Sequence, residues 1–184
     1  MATTAAGTPY VEASDLVAGY PAVSLALANH IDTLGKVLQV LSVTKVDPFT
    51  TTSTSFVDIT GLTVNVTPSA TSSKILVLYK LAANPSGTSA LYVQMMRGAT
   101  VIGGGTAVGS RGSSMSVLFM GVVGTTTDLN GNFLDSPASI AAQTYKLQIH
   151  SNNNTAQVNV TNNDTNAAEY DRTSSTITVM EISA

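Results

Sequence analysis

From Lys36 onward, apolar residues recur at every second position in about ten short runs, each closed by turn-forming residues. No other feature of the chain restricts its fold as much. Tyr145, Leu147 and Ile149 alternate with Lys146, Gln148 and His150, and Leu62, Val64 and Val66 alternate with Thr63, Asn65 and Thr67. A period of two belongs to a strand with one face buried. Between the runs stand Asp47-Pro48, Asn84-Pro85-Ser86-Gly87 and Gly98-Ala99, residues that turn a chain. Short strands at this spacing predict an all-β fold, a jelly-roll-like β-sandwich.

The pattern places strands at residues 36–46, 74–81, 91–97, 100–102, 115–123, 145–149, 158–160 and 176–182, with two short strands around Gly61 within 56–66. The run at 74–81 is apolar at Ile75, Leu76, Val77, Leu78 and Tyr79, which predicts burial on both faces, in an interior or an interface. Residues 49–55, 103–114 and 161–173 read as loops. Asn130-Gly131, flanked by apolar residues, reads as a hairpin turn.

Residues 1–35 obey a different period and predict an anchoring arm, leaving 36–184 as the β-domain. Residues 1–13 are small and polar and read as an extended tail. Ser14 suits the cap of a short turn over 15–18, which Gly19 would end. Pro21 suits the first position of a helix. Val23, Leu27, Ile31 and Leu34, spaced four, four and three, make one helical stripe that Gly35 closes. A helix of about 20 Å is too short to stand alone, so the stripe must dock. The arm residues expected to touch a partner are Tyr10, Leu16, Val17, Tyr20, Val23, Leu27, Ile31 and Leu34.

Composition narrows the function. Hydrophobic residues make up 43% of the 184, but aromatics only 5%, so the core must rest on Val, Leu, Ile and Met. Charged residues are 10%, against the roughly 25% of an average domain. Ser and Thr make up about a quarter of the chain. A surface so poor in charge is weakly defended against self-association and suits a subunit packed into an assembly. Net charge is −3 with no Lys/Arg cluster, so nucleic-acid binding is not expected. The N-terminus has neither a basic nor an apolar segment of a signal peptide, and no run approaches the length of a membrane span. A soluble product made inside the cell, with no membrane partner, is the expectation.

Catalytic and cofactor motifs fail on spacing. Cysteine is absent, which removes thiol chemistry and thiolate metal sites. His30 falls in the helical arm and His150 on the polar side of its strand, where surface or interface roles are expected of them. Gly109-Ser110-Arg111-Gly112 lacks the spacing of a nucleophile elbow. The Gly-rich run at 103–109 lacks the Lys of a phosphate loop and a following helix. Asp128-Leu129-Asn130-Gly131-Asn132 brings its Gly too early for a calcium loop. Asp58, Asp135, Asp171 and Glu181 are isolated acids rather than close pairs. No enzyme activity, metal or cofactor is expected.

Four stretches carry a resemblance: TTSTSFVDITGLTVNVTPSATSSKILV at 51–77, RGATVIGGG at 97–105, FLDSPASIAAQTYKLQIHS at 133–151 and TSSTITVMEIS at 173–183. In their order they resemble a family of small phage virion β-domains, found as C-terminal modules of tail fibres and in other particle proteins. The resemblance implies a homotrimeric jelly roll, similar in architecture to tumour-necrosis-factor-like domains, located in the virion and assembled in the bacterial cytoplasm. It brings no catalytic motif.

A receptor-binding fibre carries a long repetitive shaft, and here the arm leads directly into the β-domain. The expectation is therefore a capsid decoration (cement) protein whose arm docks on the phage major capsid protein. The alternative is a short tail fibre or knob that binds a host surface glycan through distal loops at 103–114 and 152–165. Arg111, Asn153 and Asn163 are its candidate contacts. Glycan sites favour aromatic platforms, and neither loop contains an aromatic residue.

Overall fold

A computed structural model describes residues 2–3, 7, 9–10, 20–32, 35–120, 126–161 and 164–183. In the arm, β1 (Ala2–Thr3) pairs antiparallel with β2 (Pro9–Tyr10), so part of the expected extended tail is a small ribbon. Helix α1 (Tyr20–Asp32) follows, begins beside Pro21 as expected, and lies against β2. The short turn expected at 15–18 lies outside the described residues.

The β-region contains β3 (Val37–Lys45), β4 (Phe49–Thr51), β5 (Val57–Val66), β6 (Lys74–Pro85), β7 (Ser89–Arg97), β8 (Thr100–Ile102), β9 (Ser116–Met120), β10 (Thr127–Asp135), β11 (Gln143–Ser151), β12 (Ala156–Val158) and β13 (Ser175–Ile182). The first sheet runs β3-β13-β6-β10. Its β12 and β4 continue along the β13 side of β6, because Ala83 pairs with Val158 on that edge and with Thr127 on the other. The second sheet runs β5-β11-β7, with β8 and β9 sharing the far edge of β7.

The principal pairs are β3 with β13, β5 with β11, β6 with β10 and β7 with β9, all antiparallel. First pairs with last, second with next to last, and so inward, as in a long hairpin rolled over a core. These eight strands, four in each sheet, make a jelly roll, with β4 and β12 extending the first sheet and β8 the second. The protein is an all-β sandwich with a short helical arm.

Alternation explains the core. On β11 and β13 every second residue is buried, giving Tyr145, Leu147 and Ile149 from one sheet and Ile177 and Val179 from the other. Ile75, Val77, Tyr79 and Leu81 of β6 face Leu91, Val93 and Met95 of β7 across the interior. Each such aliphatic side chain contributes about 1.5–3 kcal/mol when fully buried.

Four local expectations are corrected. Residues 57–66 form one strand, not two. Its register slips between Lys146–Thr63 and Gln148–Asp58, and this slip switches the buried positions from Ile59 to Leu62, Val64 and Val66. Phe49–Thr51 is strand rather than loop, held by β12. Strand β6 continues through Asn84 and Pro85, which read as turn, and Pro85 is still paired with Ala156. Asn130-Gly131 is no hairpin: β10 passes straight through it, and Gly131 pairs with Tyr79. The glycine makes room there for an aromatic ring, as shown by an ideal Cβ at 131 falling 2.5 Å from Tyr79 Cε1.

Two polar clusters hold one end of the sandwich, where Asp135 and Glu181 pair with Ile75 from either side. Arg97 Nη1 donates to both oxygens of Asp135 (2.9 and 2.8 Å), and Tyr145 Oη donates to Asp135 Oδ2 at 2.7 Å. Asp135 belongs to the first sheet and the other two to the second, so this cluster ties the layers together. Burial, with the Asp135 charge beside it, pushes the Tyr145 hydroxyl far above the usual phenol range. Glu181 is 1% exposed, and its Oε1 accepts from the Ser69 amide (2.6 Å), Ser69 Oγ (2.7 Å) and Ser73 Oγ (2.7 Å). Gln39 Nε2 donates to Oε2 at 2.6 Å. Desolvation acts to raise the Glu181 carboxyl, but these donors together outweigh it and hold the group down at about 2.

Candidate functional site

Each sheet has a distinctive outer face. On the first sheet, register places Val40, Met180, Leu76 and Leu134 side by side across β3, β13, β6 and β10. Val40 and Leu134 are 54% and 52% exposed, while Leu76 and Met180 between them are half-buried. Val37 and Leu38 add apolar surface where the chain enters β3, an edge strand. The expectation that 74–81 is buried on both faces holds fully on the inner face only. Leu76 and Leu78 remain partly open on the outer one.

On the second sheet, Val57 pairs with Ile149, His150 with Tyr92, and Tyr92 with Val117. The outer-face row therefore reads Phe56, His150, Tyr92, Val117. The His150 ring stacks on Tyr92 with centroids 4.5 Å apart and planes 7° from parallel, and Phe56 meets His150 edge-on at 4.4 Å.

Over this row folds the loop that joins β8 to β9. Gln94 Nε2 holds it through the Ser113 carbonyl at 2.7 Å, and the Met115 amide bonds to the Val93 carbonyl at 2.7 Å. At its tip Val108 and Arg111 exchange two backbone hydrogen bonds of 3.1 Å around Gly109-Ser110. Gly109 has φ +61°, which glycine supplies without steric cost at the first turn position. The result is a groove of about 550 Å³ with an aromatic floor and a wall of small polar residues, in which Arg111 is the cation. Among the described residues no carboxylate lies within ion-pair distance of Arg111. The guanidinium or ammonium groups of Lys45, Lys80, Arg97, Lys146 and Arg172 each have one.

Of the candidate loop contacts, Arg111 lines this groove. Asn153 is exposed, but its Oδ1 accepts from Ser89 Oγ at 2.8 Å outside the groove lining. Asn163 lies outside the described residues. The two loops contain no aromatic residue, as the sequence reads, yet the groove is not without rings. The strands beneath them supply these, through Phe56, Tyr92 and His150. Their alternation was visible in the sequence, whereas their adjacency depends on strand register.

In the arm, Tyr20, Val23, Leu27 and Ile31 lie on α1 at spacings of three and four, and Tyr10 lies in β2. Leu27 is half-buried, and Leu25, outside the expected stripe, is 62% exposed. Leu16, Val17 and Leu34 lie outside the described residues. Among the described residues no three His, Asp or Glu side chains cluster as metal ligands would.

No family model matches the chain, and no curated protein matches it. Among solved structures it is similar to the infectious bursal disease virus VP2 subviral particle, at 12% identity and TM-score 0.37, over 78% of this chain and 39% of that one. Similar values hold for the structure of the Gx strain of that virus (15% identity, TM-score 0.37, 78% and 40% covered). The T=1 particles derived from it give 13% identity, TM-score 0.37, and 78% and 39% covered. The chain thus spans about two fifths of the length of these structures. At this level of similarity no kinship follows from them.

Proposed function

We propose that this protein is a structural subunit of a virus particle, a homotrimeric decoration (cement) protein of a bacteriophage head that docks on the major capsid protein through its N-terminal arm. The observation that carries the reading is the exposed apolar row Val40–Met180–Leu76–Leu134, which crosses the outer face of the first sheet and ends at β3, where the arm joins the β-domain. An exposed apolar row on the outer face of a sheet invites contact with another chain. A surface with 10% charged residues over the whole chain does little to prevent such contacts. Both properties suit a subunit that spends its life packed against copies and a shell. The phage setting is supported by the resemblance of residues 51–77, 97–105, 133–151 and 173–183 to phage virion β-domains.

In this role stabilisation comes from area buried across several subunits. A trimer with three arms multiplies weak attachments, so losing one arm is tolerated better than losing all. Two measurements test it. Native mass spectrometry of the purified protein should give three times the 18.9 kDa chain mass. Copy number in purified virions should reach hundreds, in fixed ratio to the major capsid protein. A monomer, or a handful of copies per particle, overturns the reading.

The groove on the second sheet favours one other reading, a short tail fibre or knob that holds a host surface glycan. The same copy count separates the two, since a tail protein is present in only a few copies.

A further inference from the structure

We propose that the groove between the row Phe56–His150–Tyr92–Val117 and the loop carrying Arg111 is a binding site for an acidic saccharide. This deepens the glycan reading without requiring a tail location, because the same groove would serve on a head.

The chemistry follows from what the groove offers. A pyranose ring has C–H-rich faces and a rim of hydroxyls. The C–H faces pack on aromatic rings, whose π faces carry partial negative charge. His150 covers one face of Tyr92, so the floor offers the opposite face of Tyr92, on the side of Val117, beside the rings of His150 and Phe56. Hydroxyls need both donors and acceptors, and Ser110, Ser114, Thr106 and Asn152 supply them around the rim. A volume of about 550 Å³ falls in the range of small-molecule sites and has room for one or two sugar rings.

The acidic character rests on Arg111. Its backbone is held by the two bonds to Val108, which fixes where the side chain leaves the tip beside the groove. Its fork of N–H donors matches a carboxylate. One guanidinium suits one carboxylate per residue of ligand, as in uronic or sialic acids. A polyphosphate or a nucleic-acid strand would require several cations, and among the described lining residues Arg111 is the one Lys or Arg. The wall is also held in place before any ligand arrives, through Gln94–Ser113 and Met115–Val93, which lowers the ordering cost of binding.

The test is saturation-transfer NMR on the full chain with four probes: methyl β-glucuronide, the methyl glycoside of N-acetylneuraminic acid, methyl β-glucoside and sodium acetate. We expect saturation of the ring C–H protons of at least one acidic glycoside, at least about fivefold weaker signal from the neutral glucoside, and none from acetate. The stronger acidic probe distinguishes a uronic from a sialic ligand. Arg111→Gln should weaken acidic binding about tenfold and leave the glucoside unchanged. Val117→Asp, at a 53% exposed position, should abolish acidic binding with the thermal transition retained. Absence of binding by both acidic glycosides overturns the site, as does acetate binding equal to theirs or an Arg111→Gln protein that binds as the wild type does. These outcomes are separate from the copy count, which bears only on where the subunit sits.

Discussion

The ring of Tyr79 lies against the backbone of Gly131 across the β6–β10 pair, with ideal-Cβ distances of 2.5 Å to Cε1 and 2.9 Å to Cζ. The tyrosine hydroxyl continues past the glycine to Ser116 of the other sheet, 2.7 Å away. Packing of one ring thus links three strands in two layers.

Gly131→Ala should therefore destabilise the fold by about 2 kcal/mol, although alanine is the better residue for an unobstructed strand. Chemical denaturation measures it. Adding Tyr79→Ala should make the alanine at 131 cost much less than it does alone, because the obstructing ring is gone. Simple additivity of the two costs would show that the close approach is not the cause.

This pair also shows what a sequence can and cannot disclose. Strands β11 and β13 were legible because their alternation is a local property, Tyr145-Lys146-Leu147 or Ile177-Thr178-Val179. Asn130-Gly131 was misread because the turn signal is local while the ring that requires the glycine comes from Tyr79, distant in sequence. Phe49–Thr51 was missed for the same reason, since its strand character comes from pairing with Ala156–Val158. The groove is the extreme case. Arg111 stood out as a loop cation, but Phe56, Tyr92, Val117 and His150 become one row only through the registers of three strand pairs. Helix α1 was legible through Pro21 and the spacing of Val23, Leu27 and Ile31.

Glu181 predicts acid sensitivity. Its carboxyl is held at about 2 in the fold against an ordinary 4.5, so its contribution to stability is complete above about pH 4.5. That contribution is lost as pH falls from 4.5 towards 2, where the folded protein also takes up the proton. Urea unfolding across pH 7 to 2 should show this decline. Glu181→Gln should be less stable by about 2 kcal/mol at pH 7, because the amide nitrogen meets donors from Ser69 and Ser73 or Gln39. It should also flatten the curve below pH 4.5. An unchanged slope in the variant would assign the acid transition to other groups.

Leu27→Asp with Ile31→Asp tests the arm. Both positions lie on α1, and a short amphipathic helix gains its stability from what it docks against. The double variant should keep the β-domain melting transition within about 0.5 kcal/mol of wild type, as for surface changes away from a core. It should lose trimer closure or attachment to capsids. Normal decoration of virions by the variant would remove the anchoring role from the helix.

Val40→Lys with Leu134→Lys tests the outer face of the first sheet. The two residues end the apolar row, and both are more than half exposed, so a lysine at either place can reach water without disturbing the core. Stability of the isolated fold should change by no more than about 0.5 kcal/mol per site. Assembly should respond differently, because a charge buried in an interface without a partner costs several kcal/mol. Analytical ultracentrifugation should then show the trimer dissociating to folded monomers, with circular dichroism unchanged. If the row instead faces the shell, the trimer persists and only capsid attachment fails, which places the row against the capsid. A variant that both trimerises and decorates normally would leave the row solvent-facing in the particle and remove the observation on which the structural role rests.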